Sequence, residues 1–151
     1  MQYSSYESLF ADLQKQINAS LVEDVVPVVK ETMQAEVQNT VYSVYEPSVY
    51  QRRLYNGGLM DEKNYHSELI ADGTVAITND TPINDAYGGS NSMSLTEQVI
   101  TGQGYDYQGS GTGAYLQPRD FISATEEDLV ASGLHVTALK AGLAKRGFEV
   151  K

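Results

Sequence analysis

The side chains that could do acid–base or metal chemistry are few, and their spacing does not suit it. There are two histidines, His66 and His135, and no cysteine. His66 stands in a β-prone run beside Glu68, and His135 comes two residues after Gly133. Neither has a second titratable group at dyad or ligand spacing, which a histidine needs to act as a base or ligand. Without cysteine there are no disulfides, thiolate zinc sites, iron–sulfur clusters or sulfur nucleophiles, and the redox compartment leaves no mark. Asn79-Asp80, Asn84-Asp85 and Asp106 could offer oxygens to calcium. An EF-hand loop, however, sets acidic ligands at alternate positions around a central glycine and closes with glutamate. That order is missing, and ordinary Asx turns account for these residues. The glycines of 102–113 lack the Gly-Lys-Ser/Thr ending of a phosphate loop. No Gly-x-Ser-x-Gly elbow is present. Glu126-Glu127-Asp128 suits the positive end of a helix. The expectation is no catalytic residue, no metal and no cofactor, hence no enzyme.

Tyrosine carries more information, with 11 copies and no tryptophan. Tyr42, Tyr45, Tyr50, Tyr55, Tyr65, Tyr87, Tyr105, Tyr107 and Tyr115 all fall outside the helical stripes. A tyrosine offers a large contact area with one polar tip, which suits an interface between subunits. A tyrosine-rich sheet face is the plainer alternative. The candidate subunit or partner interface is Tyr42, Tyr45, Tyr50, Arg52, Arg53, Tyr55, Tyr105, Tyr107 and Arg119. Arg52 and Arg53 form a basic spot in an acidic chain, so at least one is expected to pair with a carboxylate, in the same subunit or the adjacent one.

The elements that must position these residues follow from periodicity. Leu9, Phe10, Leu13, Ile17 and Leu21 recur at helical steps, and Ser4 with Glu7 has capping-box spacing. Pro27 interrupts the stripe, which predicts helices at about 5–24 and 27–40, or one helix kinked at Pro27. Residues 41–55 are rich in Val and Tyr and suit extended chain, bent at Pro47. Asn56-Gly57-Gly58 permits a left-handed turn. Two β-prone runs within 65–79 flank Asp72-Gly73, a strong hairpin signal. Leu69 and Ala71 share one face, as do Val75 and Ile77 on the second strand. Residues 80–118 form a long Gly- and Tyr-rich loop, interrupted by a short helix capped by Ser94 and Glu97 and ended at Gly102. Thr125 is the expected N-cap of a last helix that ends at Gly147, and Phe148–Val150 is a possible final strand.

Length and charge narrow the classes. The 151 residues fit a single domain, 1–151, with 1–40 helical, 41–79 strands and hairpin, 80–118 loop with a short helix, and 119–151 C-terminal helix and strand. Formal net charge is −10. An acidic surface repels phosphate backbones and anionic lipid and offers no counterion release. The clustered cations Lys140, Lys145, Arg146 and Lys151 complement the end of a helix rather than track DNA. No apolar run reaches the ~18 residues a spanning helix needs. The start, Met-Gln-Tyr-Ser-Ser-Tyr-Glu, lacks the parts of a signal peptide, so a soluble chain not exported by that route is expected.

The segment Val41-Tyr-Ser-Val-Tyr-Glu-Pro-Ser-Val-Tyr-Gln-Arg-Arg-Leu-Tyr-Asn-Gly-Gly-Leu-Met-Asp61 resembles part of the small neck proteins of long-tailed bacteriophages. The helical start, the hairpin, Pro118-Arg119-Asp120-Phe121 and Lys140-Ala-Gly-Leu-Ala-Lys-Arg-Gly147 are similar to them too. This is the tail-completion or head–tail connector family, also described as minor structural or minor capsid proteins. The resemblance covers most of the chain and is weakest over 80–117. It implies an α+β fold, a small antiparallel sheet packed by N- and C-terminal helices. It also implies a ring, sixfold, in the virion neck, made in the bacterial host cytoplasm. Its partners would be further copies of itself, adjacent neck or connector proteins, and tail-tube or tail-terminator proteins. Genomic DNA would pass through without specific binding, and an acidic lumen would keep it from sticking. Two other classes fit the residues: an interaction module that orders its loop on a partner, and a small cytosolic enzyme with a glycine-rich lid.

Overall fold

A computed structural model describes residues 3–48, 50–83, 93–104, 113 and 116–150. The fold is α+β, with helices at both ends of the chain and one two-stranded antiparallel sheet. The chain divides into two compact units. The first is Met1–Glu31, Ser67–Ile77 and Leu129–Lys151; the second is Thr32–His66 and Thr78–Asp128.

The first unit opens with α1, Tyr6–Ser20. Its capping box is one residue later than the sequence suggested. Ser5 Oγ accepts from Ser8 N and Ser8 Oγ accepts from Ser5 N, both at 3.2 Å. A short Ser–x–x–Ser pair satisfies both orphan N–H groups as well as Ser4 and Glu7 could. The helix does not stop before Pro27. It widens into a π-helical segment, Leu21–Val25, and resumes as α2, Val26–Glu36. Proline lacks an N–H and its ring crowds the carbonyl four residues back. A turn in which Val26 N–H reaches Leu21 O, five residues back, relieves that crowding without a break.

In this unit α5, Leu134–Lys145, packs on α1 and the π segment. The close approach is at Gly142, where an added Cβ would lie 2.0 Å from Ser20 Oγ and 2.2 Å from Asp24 Oδ2. Asp24 accepts from Lys145 Nζ at 3.0 Å and from Arg146 Nη1 at 2.6 Å, and Glu23 accepts from Arg146 Nη2 at 2.5 Å. The hairpin strands are β1, Tyr65–Ala71, and β2, Thr74–Asn79, with Gly73 at φ +74°. Asn18 holds the tip: its Oδ1 accepts from Gly73 N at 2.8 Å, and its Nδ2 donates to Asp72 Oδ1 at 3.0 Å. Leu69 and the adjacent Ile70 both stay exposed, so β1 does not bury the alternating face its pattern implied.

The second unit has its own core: Met33, Val37, Val41, Tyr42, Leu59, Met60, Tyr65, Val99 and Phe121. A second π-helical segment, Val37–Tyr42, carries the helical run past the predicted end at 40 and turns Val37, Val41 and Tyr42 inward. Residues 43–61 were expected to include strand. None of those described joins a ladder, and the chain folds on itself in tight turns instead. Asn56 N donates to Arg53 O at 2.8 Å, Gly57 N to Asp61 Oδ2 at 2.6 Å, and Asp61 N to Gly58 O at 3.0 Å. A Cβ at Gly58 would lie 2.5 Å from Leu54 O, so only glycine fits there.

Helix α3, Leu95–Thr101, has the predicted Ser94–Glu97 capping box and ends on Gly102 at φ +68°. The predicted cap at Thr125 is a correction. Helix α4, Phe121–Ser132, starts five residues earlier, where Asp120 Oδ1 accepts from Ile122 N at 3.1 Å and from Ser123 N at 3.0 Å. Thr125 is buried and donates back to Phe121 O. Gly133, at φ +66°, then breaks the expected single helix between α4 and α5. Phe148–Val150 forms no strand.

Candidate interaction site

The end of the second π segment places Tyr42, and the bend that follows brings Tyr45, Tyr50 and Arg52 beside it in the second unit. Arg52 Cζ lies 5.0 Å from the centroids of both the Tyr42 and Tyr45 rings. Arg52 Nη2 also donates to the Tyr45 carbonyl. Arg119 approaches Tyr45 as well, with its Cζ 5.3 Å from the ring centroid. Backbone bonding sets its position: Arg119 N donates to Val99 O at 2.9 Å, and Phe121 N to Arg119 O at 3.0 Å. Tyr45 is thus flanked by two guanidiniums. Each such contact is worth about 0.5–2 kcal/mol, more where water is excluded. Arg119 is 6% exposed, so its contact lies at the strong end.

Tyr42 and Tyr50 lean toward their neutral form. Burial pushes Tyr50 well above its ordinary range, and its hydrogen bond with the Tyr45 hydroxyl adds to the rise. Burial also raises Tyr42, against the opposing pull of the Leu59 backbone and the nearby arginines. A phenol protonated at neutral pH donates and packs; it does not act as a base. The arrangement can therefore bind and brace.

The remaining predicted residues scatter. Arg53 Nη2 donates to Pro82 O at 2.6 Å. Tyr55 is 65% exposed on the turn that follows. Tyr105 and Tyr107 lie outside the described residues. Among the described residues no carboxylate pairs with Arg52 or Arg53, and both guanidiniums bond to carbonyls. A planar five-donor guanidinium is served as well by a carbonyl as by a carboxylate, and the carbonyls of Tyr45 and Pro82 take that place.

One polar network went unread in the sequence. Asn79, at the end of β2, accepts from Thr81 Oγ1 at 2.7 Å and Thr96 Oγ1 at 2.6 Å. Its Nδ2 donates at 3.0 Å to Leu59 O, which also accepts from the Tyr65 hydroxyl at 2.7 Å. Beside Asp80 in the sequence, Asn79 suits a turn or a calcium ligand; the structure buries it instead. The alternation of β2, which puts Asn79 on the face of Val75 and Ile77, was the signal for its burial. Among the described residues no three His, Asp or Glu side chains converge as metal ligands.

The family model described as YomN matches residues 5–145. Comparison with curated proteins and with solved structures finds no match.

Proposed function

The chain belongs to the YomN family, which is phage-associated, and from that premise we propose that it is a structural protein of the virion neck. In this reading it forms a closed ring, sixfold, at the head–tail junction. It completes or joins the tail while DNA passes through its lumen. It turns over no substrate and holds no cofactor. The observation that carries the reading is the cluster around Tyr45, where aromatic rings and two guanidiniums over them supply rigid contact chemistry. Aromatic residues and arginine are the types enriched at the centres of protein interfaces. The net charge of −10 per copy also suits a channel that must not retain DNA. No described helix is long and apolar enough to cross a membrane.

Electron microscopy of phage particles carrying this protein tests the proposal. The expected map shows a ring of copies at the neck, and particles lacking the protein fail to join heads to tails. Particles that contain no copy, or a single one, would overturn it.

A further inference from the structure

Among the described residues no third strand joins the hairpin, and no backbone group outside it bonds to residues 66–71. Strand β1 is the barer of the two. Every residue from His66 to Ala71 is exposed, whereas Val75, Ala76 and Ile77 on β2 are half-buried. Leu69 is 39% and Ile70 60% exposed, and as neighbours on a strand they point to opposite faces. The two-residue turn sets Ala71 opposite Thr74. Leu69 and Ala71 therefore exchange bonds with β2, while Glu68 and Ile70 turn their N–H and C=O groups to the open edge. Proteins blunt such edges with lysine, proline, a bulge or a covering loop. Residues 65–79 contain no lysine and no proline.

The chemistry that satisfies a row of unpaired backbone groups is another extended strand. Charge and register point to a second copy of β1. Copies related by a two-fold axis pair antiparallel, and bonds form only where open-edge groups face open-edge groups. Centred on Glu68, the pairing sets Glu68 against Glu68; centred on Ile70, it sets Glu68 against Asp72 on both sides. Like charges directly opposite destabilise a ladder. Centred on Ser67, it carries Ile70 past the end of β1 onto the 3-10 turn Glu62–Asn64. Centred on Leu69, it brings the two Leu69 side chains together on one face and the two Ile70 side chains diagonally across the other. In that register His66 comes opposite Asp72, and no like charges face each other.

We propose that two copies of the free protein pair antiparallel along β1, Leu69 against Leu69 across a two-fold axis, and join their hairpins into one four-stranded sheet. A two-stranded hairpin is marginal alone, and the wider sheet relieves that. The pairing concerns the free chain and stands apart from the neck reading. The chain has no cysteine, so single introduced cysteines report the register. Facing residues that do not bond to each other have Cα atoms about 4.5 Å apart, within disulfide range. Under mild oxidation Leu69→Cys should form a linked dimer at least about tenfold faster than Ser67→Cys or Ala71→Cys alone. Those two variants should crosslink when mixed, because the register sets Ser67 opposite Ala71. Ile70→Lys, a charge on the open edge, should shift the purified chain from dimer toward monomer in sedimentation velocity, with its circular dichroism unchanged. Equal rates for the three single-cysteine variants, no crosslink in the mixture, or a wild-type chain that sediments as a monomer at every concentration would overturn the pairing. Each of these outcomes leaves the neck reading intact, since particle microscopy decides that separately.

Discussion

Arg146 Nη1 lies 2.6 Å from Asp24 Oδ2, tying the end of α5 to the π-helical segment across 122 positions of sequence. Both side chains are largely covered, at 15% and 12% exposed. Lys145 and Ser20 reach the same carboxylate, at 3.0 and 3.2 Å. A hydrogen-bonded ion pair shielded in this way contributes more than a surface pair. Asp24→Asn should destabilise the chain by about 1–3 kcal/mol, read as a lower denaturation midpoint with an unchanged slope.

That carboxylate also sets an acid limb. The hydrogen bond from Lys145 holds Asp24 below the ordinary carboxylate range, and Arg146 and Ser20 add to the effect. A depressed folded-state value means that the stability is fully present above the unfolded value, about pH 3.9. It is lost as pH falls from there through the folded value. Wild-type protein should therefore lose stability below about pH 4 more steeply than Asp24→Asn does, in urea titrations at stepped pH.

Gly142→Ala sets two effects against each other. Alanine improves helix propensity by roughly 1 kcal/mol. Its Cβ would meet Ser20 Oγ at 2.0 Å and Asp24 Oδ2 at 2.2 Å, which forces α5 away from the π segment. Overpacking of this kind costs about 1–3 kcal/mol and loosens the ion pairs as well. The steric term should win, and the melting temperature should fall. A rise would show that the helix contact is looser than described.

Asn79→Ala removes the hub shared by Thr81, Thr96 and Leu59. The two hydroxyls are buried and lose their acceptor with no water to replace it, while Leu59 O keeps its bond from the Tyr65 hydroxyl. At about 1–3 kcal/mol per unsatisfied group, this should be the most destabilising of the three changes. Thermal unfolding of the purified variant decides the order.

The tyrosines can be titrated optically, since no tryptophan interferes. Tyr42, Tyr50 and Tyr65 are all raised, chiefly by burial. A raised folded-state value gives stability that is present below the unfolded phenol value, about pH 10, and lost as pH climbs toward the folded one. Absorbance titration should show a group of phenols ionising later than the rest. In denaturant they should merge into one step near pH 10.

Local chemistry was legible from the sequence wherever the controlling residues are neighbours. The Asp72-Gly73 hairpin, the Ser94–Glu97 cap and the Gly102 stop each depend on a few consecutive positions, and each occurs as read. So does the α+β class, because helical and alternating periodicities are written along the chain. The start of the last helix was misread because Asp120 and Thr125 are both competent caps, and the burial of Phe121 and Thr125 selects between them. The Val/Tyr-rich run of 41–55 satisfies strand propensity but has no partner strand, and propensity without a ladder yields turns. A phage association was legible in residues 41–61, while the meeting of Arg52 and Arg119 on one tyrosine ring was not. Those two cations are 67 positions apart in the numbering; Asp24 and Arg146, 122 apart, and Asn79 and Leu59, 20 apart, are other pairs the tertiary structure alone decided. Periodicity reports which face of an element is buried; it carries no information about which distant side chain that face will meet, because that depends on how the elements pack.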